Sequence, residues 1–287
     1  MKKIVLSYLI LLFLFNVMIC KIEMLPLCEI GKEESKDSKN CNTHFVLVHG
    51  SGGGAWNFYK IRTLLENHGY QVSCLDLKSA GIDATDPRSI LTFEDYNKPL
   101  VDFLSTLPEN EKVILVGHSA GGMSVTDAIH RFGKKISIAV YVGAVMLRRG
   151  YLTEQDKIDG IPDIIRQPPT NSTMTREFQR QIIYNLSPEE DATLSWMLRK
   201  AGPDKVIGDT KFAESPGIDE VTRLYIKTMH DQVLKPEQQD AMIKKWPPSD
   251  VFLLESDHSP VFSSPTDLVG ILVGVAGSTK IFTGTCT

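Results

Sequence analysis

The sequence of 287 residues predicts an α/β fold, a mainly parallel sheet with helices on both faces, and three observations carry that expectation. Short runs rich in β-branched residues recur at 45–48, 72–77, 112–116, 136–142, 223–228 and 251–255. Amphipathic stretches of helical length separate most of them, which is the pattern of parallel strands joined by crossover helices. Between Val142 and Arg223 no such run occurs, so a long insertion is expected after the fourth strand.

The elements follow in chain order. Lys2 and Lys3 precede an almost unbroken apolar run over 4–20, the charged and apolar regions of a secretory signal. That run also reaches the lower length for spanning a bilayer, so a retained anchor is the alternative. Residues 21–43 are charged and aperiodic, which predicts a solvated leader ahead of a folded domain at 44–287. Export allows Cys28 and Cys41 to pair, and it makes Asn171 and Asn185 glycosylation sequons. Cys74 falls in a strand expected to be buried, and Cys286 in the tail.

A glycine-rich stretch, His49 to Gly54, follows the first strand. A phosphate loop needs a lysine and a hydroxyl residue after the glycines, and Ala55-Trp56 stands there instead. A turn of this kind can instead offer a backbone N–H to an oxyanion, and the amides of Ser51 and Ala120 are the expected donors. After the third strand comes Gly117-His118-Ser119-Ala120-Gly121, ahead of a helical segment at 123–132. A serine on a sharp strand-to-helix turn needs small neighbours, and the turn lifts its Oγ above the sheet, where a base can reach it.

The insertion at 146–221 contains Pro162, Pro168, Pro169, Pro188, Pro203 and Pro216, which break it into short helices such as 174–184 and 189–200. Placed after a strand of an open α/β sheet, it would cap the edge where such folds bind ligands. Two histidines, His230 and His258, come after it. His258 follows the sixth strand and is the expected base, with Asp231, just beyond the fifth strand, as the acid. Asp257 is the rival acid, but adjacent side chains in an extended turn point apart. Asp257 and His230 are therefore expected to brace their loops through local bonds to the backbone. Trp56, Trp196, Phe212 and Trp246 are candidates for an acyl pocket or for plain core.

The net charge is −4, with acidic and basic residues interspersed, which excludes a nucleic-acid surface and leaves a small molecule as the expected partner. No Cys/His cluster has metal-ligand spacing, and the chemistry needs no metal or organic cofactor.

The blocks His44-Phe-Val-Leu-Val-His-Gly-Ser-Gly-Gly-Gly-Ala-Trp56, Leu77-Lys-Ser-Ala-Gly-Ile-Asp83, Lys112-Val-Ile-Leu-Val-Gly-His-Ser-Ala-Gly-Gly-Met123 and Asp257-His-Ser-Pro260 together resemble the plant methylesterase family of α/β hydrolases. Hydroxynitrile lyases share that family. The resemblance implies hydrolysis of methyl esters of small carboxylic-acid hormones or metabolites, with Ser119, Asp231 and His258 matching the family triad. The lyase branch carries a threonine after the first histidine and a lysine after the last, where Gly50 and Ser259 stand here. The lyase activity and a non-catalytic or slow-turnover small-molecule receptor are the alternatives on the same fold. A small-molecule ester is the expected partner and a homodimer is allowed. There is no stable membrane partner if the signal is cleaved. The expected location is the secretory pathway and the apoplast, or the endoplasmic reticulum or a membrane if the leader is retained.

Overall fold

The computed structural model describes residues 43–162 and 175–282. The leader, Cys28, Cys41, Cys286, the sequon at Asn171 and residues 163–174 of the insertion lie outside the described residues.

Six strands form one sheet: β1 (His44–Val48), β2 (Gln71–Leu75), β3 (Val113–His118), β4 (Ile136–Val142), β5 (Thr222–Thr228) and β6 (Asp250–Leu254). Their order is β2-β1-β3-β4-β5-β6, and every neighbouring pair is parallel. Each expected run is a strand, with ends displaced by a residue or two. α1 (Tyr59–Asn67) connects β1 to β2, α2 (Phe93–Thr106) connects β2 to β3, and α3 (Gly121–Phe132) connects β3 to β4. Between β4 and β5 lie α4 (Glu154–Ile158), α5 (Arg176–Ile182), α6 (Glu189–Leu198) and α7 (Asp204–Gly208). α8 (Pro236–Lys245) joins β5 to β6, and α9 (Pro260–Ser263) and α10 (Pro265–Phe282) follow.

The strands read as near-continuous apolar runs because both faces of a parallel sheet are covered. Phe45 and Leu47 share one face with Val116, Val140 and Ile226, against Ile61 and Leu65 of α1 and Leu268 and Leu272 of α10. Val46 and Val48 share the other with Leu115, Tyr141 and Tyr225, against Leu100 of α2 and Met123 and Ile129 of α3. Each such buried side chain contributes about 1.5–3 kcal/mol relative to exposure. β2 is an edge strand, so Cys74 is partly exposed rather than buried as expected, although burial still pushes its thiol up to about 11.

The expected helices of the insertion are shorter than the sequence suggests. Thr175 caps α5, its hydroxyl accepting from the Phe178 N–H at 3.2 Å, and Pro188 stands immediately before α6. Because all strands run the same way, the loops after β1, β3, β5 and β6 emerge at one edge, the ligand-binding edge of open α/β sheets. Inserted residues meet two of those loops: Lys200 donates its N–H to the Gly52 carbonyl at 3.1 Å, and Leu186 donates to Asp257 at 2.9 Å.

Candidate active site

Ser119 immediately follows β3 and begins the turn into α3 with φ of +55°, one of two non-glycine residues with positive φ among the described residues. That strained backbone is over-determined by its neighbours. The Ser119 N–H donates to the Val142 carbonyl at 3.3 Å, and its carbonyl accepts from Val145 at 3.0 Å and Gly122 at 3.1 Å. Close approach explains two of the glycines. A Cβ on Gly121 would stand 2.6 Å from the carbonyl oxygens of both Val48 and His49, and one on Gly50 would stand 2.7 Å from the Ser119 Cβ. The turns after β1 and β3 thus press against each other without side chains between them.

His258 is 5% exposed and brings its Nε2 to 2.9 Å from Ser119 Oγ, while its Nδ1 lies 2.8 Å from Asp231 Oδ2. Asp231 is fully buried, with Thr228 Oγ1 donating to Oδ2 at 2.9 Å and the Val233 and Leu234 amides to Oδ1 at 2.8 Å. An ionised carboxylate can only accept, so His258 carries its proton on Nδ1 and leaves the Nε2 lone pair for the serine hydroxyl. Burial against such donors keeps the pair in one geometry. Chemically, this arrangement can withdraw a proton from Ser119 as it attacks and return it to a leaving group.

The loop after β1 is held by His49 and by the insertion. His49 donates from Nδ1 to the Gly50 carbonyl at 2.8 Å and accepts at Nε2 from the Leu77 N–H at 3.2 Å. Burial lowers its pKa and keeps it neutral. The Ser51 hydroxyl donates to Asp204, and its carbonyl accepts from Arg199 Nη2 at 3.1 Å. Of the two expected oxyanion donors, Ser51 follows Gly50, which packs on Ser119, and Ala120 follows the serine itself and immediately precedes α3.

The rival residues serve elsewhere. Asp257 faces away from its neighbour's imidazole and accepts from Leu186, Ser187, Ser259 and Ser263. The expectation of purely local bracing is corrected, because three of its five bonds cross to residues about seventy positions away. His230 pairs through Nε2 with the Glu255 carboxylate at 2.6 Å, a side-chain contact rather than the local backbone bond expected. Trp246 belongs to the core, with its ring under the Arg223 guanidinium at 3.9 Å and its Nε1 donating to Asp219. Trp56 stacks on Phe262, and Phe212 packs on Phe93 and His130, whereas Trp196 lines a small cavity in the insertion with Arg176 and Gln179. Asn185, a sequon residue, donates its side-chain N–H to the His230 carbonyl at 3.3 Å.

Sequence reasoning missed two supports. Buried His118 donates from Nε2 to the His258 carbonyl at 2.6 Å, and burial together with the neighbouring imidazole pushes its pKa down to about 3. Gln239 on α8 brackets Thr228 and so stands behind Asp231. His118 lay inside the serine motif and was legible as a candidate, whereas nothing in the sequence marks Gln239.

Fold and relay together define an α/β hydrolase with a serine at the strand-to-helix turn, and residues 45–271 match the alpha/beta hydrolase family. Methylesterase 17 of Arabidopsis thaliana is 46% identical over 272 residues, covering 88% of this chain and 99% of that protein. Pheophorbidase of Raphanus sativus is 42% identical over 243 residues, covering 80% and 92%. The crystal structure of the Arabidopsis methylesterase MES16 superposes with a TM-score of 0.72 at 39% identity, over 82% of this chain and 99% of that one. The chain belongs to the plant methylesterase family.

Proposed function

We propose that the protein hydrolyses methyl esters of carboxylic acids, with Ser119 as nucleophile, His258 as general base and then general acid, and Asp231 as the residue that orients His258. The observation that carries this reading is the continuous path from Ser119 Oγ to His258 Nε2 at 2.9 Å and from His258 Nδ1 to Asp231 Oδ2 at 2.8 Å. Ser119 Oγ attacks the ester carbonyl as its proton passes to Nε2. The amides of Ser51 and Ala120 receive the oxyanion, and collapse expels the alkoxide, which takes the proton from His258 and leaves as methanol. A water deprotonated by His258 then attacks the acyl-enzyme, and a second collapse releases the acid and restores Ser119.

The acids in view are small plant hormones and metabolites. Ser259, in the lysine position of the lyase branch, donates its N–H to Asp257 and offers no cation for cyanide, which favours the esterase. Methanol release from a panel of methyl esters, wild type against Ser119→Ala, tests the reading. Equal release by the two proteins would overturn it.

The leader supports a secretory-pathway location. Mass spectrometry of the mature N-terminus from plant tissue tests this, and an intact Met1 in soluble cytosolic protein would exclude it.

A further inference from the structure

We propose that Asp257 is a positioning residue that ties the insertion between β4 and β5 to the His258 loop, so that the placement of the acyl group and of the base are set together; this rests on the esterase reading above. The Asp257 carboxylate is fully buried and accepts five hydrogen bonds. Oδ2 takes three from the insertion: the Leu186 N–H at 2.9 Å, the Ser187 N–H at 2.8 Å and the Ser187 hydroxyl at 2.8 Å. Oδ1 takes two from the other side: the Ser259 N–H at 2.9 Å and the Ser263 hydroxyl at 2.8 Å. One carboxylate therefore divides its oxygens between the inserted segment and α9.

The next residue in the chain is His258. Its carbonyl is held by His118 at 2.6 Å, so its backbone is gripped by that bond on one side and by the Asp257 bonds on the other. A charged acceptor is demanded at this point. Each carboxylate oxygen faces at least one backbone N–H, which cannot accept, so an amide would turn its NH2 against a donor in either orientation. An unpaired buried charge is strongly unfavourable, and five donors offset that cost here. A group placed only to close a surface loop would not need this many partners at this depth.

The test uses the full chain and two esters that differ in the size of the acyl group, p-nitrophenyl acetate and methyl indole-acetate. Asp257→Asn should lower kcat on both esters by about tenfold or more, because a displacement of about an ångström at the base is costly. Ser187→Ala removes one donor on the insertion side and should raise KM for methyl indole-acetate about three- to tenfold, with a smaller effect on kcat for the acetate. An Asp257→Asn protein with the wild-type melting temperature and both constants within twofold of wild type on both esters would overturn the proposal. If Asp257→Asn does not fold, Ser187→Ala decides, and equal effects on KM and kcat across the two esters, or none, would also overturn it. Failure of the esterase reading looks different: wild type and Ser119→Ala would then be equally inert or equally active.

Discussion

Gln239 and Thr228 are joined by three hydrogen bonds: the Thr228 N–H donates to Gln239 Oε1 at 3.0 Å, and Gln239 Nε2 donates to the Thr228 carbonyl at 2.9 Å and to Oγ1 at 3.0 Å. With its Oγ1 accepting from Gln239, Thr228 turns its own proton to Asp231 Oδ2, 2.9 Å away. The hydroxyl's orientation is thus set by a residue on α8 that touches neither the serine nor the histidine. Thr228→Val keeps the shape and deletes that donor. It should lower kcat/KM about three- to tenfold and stability by about 1–3 kcal/mol, read by steady-state kinetics and urea unfolding. A variant as active as wild type would show that the threonine hydroxyl does not support Asp231.

In the proposed mechanism Ser119 and His258, in contact at 2.9 Å, share one step, so single losses should resemble the double loss. Ser119→Ala, His258→Ala and the pair are each expected to reduce kcat by about 10⁴-fold or more, with binding and the oxyanion donors left. Effects that add across the two positions would contradict a shared step. The measurement is burst and steady-state kinetics on a chromogenic ester.

Gly121 has no room for a methyl group, since the Val48 and His49 carbonyl oxygens would both stand 2.6 Å from it. Both clashes are with backbone, so the turns after β1 and β3 would have to separate. Gly121→Ala should lower stability by about 1–3 kcal/mol and lower kcat more than it raises KM, because the proposed oxyanion donors, the amides of Ser51 and Ala120, belong to the two turns displaced. Wild-type kinetics in a folded Gly121→Ala protein would refute the close-packing argument.

His118 makes stability depend on pH in a defined direction. Its folded pKa is about 3, against 6.5 ordinarily, so below pH 6.5 the unfolded chain takes up a proton that the native state refuses. Stability conferred by the neutral form is complete above pH 6.5 and falls by about 1.4 kcal/mol per pH unit as pH drops towards 3. His49, also lowered by burial, adds to the same slope. Urea unfolding at pH 7.5, 6.0 and 5.0 should show the decline, and His118→Gln, which keeps a donor but does not titrate, should flatten part of it. An identical slope in the variant would assign the effect elsewhere.

The strands were legible because burial on both faces writes itself into the chain as short apolar runs, and 136–142 matches β4 to the residue. Ser119 was legible for a related reason: a strained turn between a strand and a helix admits few residue types, and all of them lie within five positions of the chain. His258 and Asp231 could be placed by their order along the chain, since each follows a strand whose C-terminal end must open on the same edge. Chain order could not distinguish what Asp231 and Asp257 each face. That depended on which distant N–H and hydroxyl groups converge on each carboxylate: Val233, Leu234 and Thr228 on one, Leu186 and Ser187 on the other. The sequence by itself determined the sheet, the nucleophile turn and the set of candidate groups, because those follow from local periodicity and local sterics. The tertiary structure decided how the acids divide their work, why His118 is neutral and what Gln239 holds, because a hydrogen bond depends on two atoms meeting within about 3 Å, and residues about seventy to 140 positions apart acquire that distance only when the sheet brings their loops to one edge.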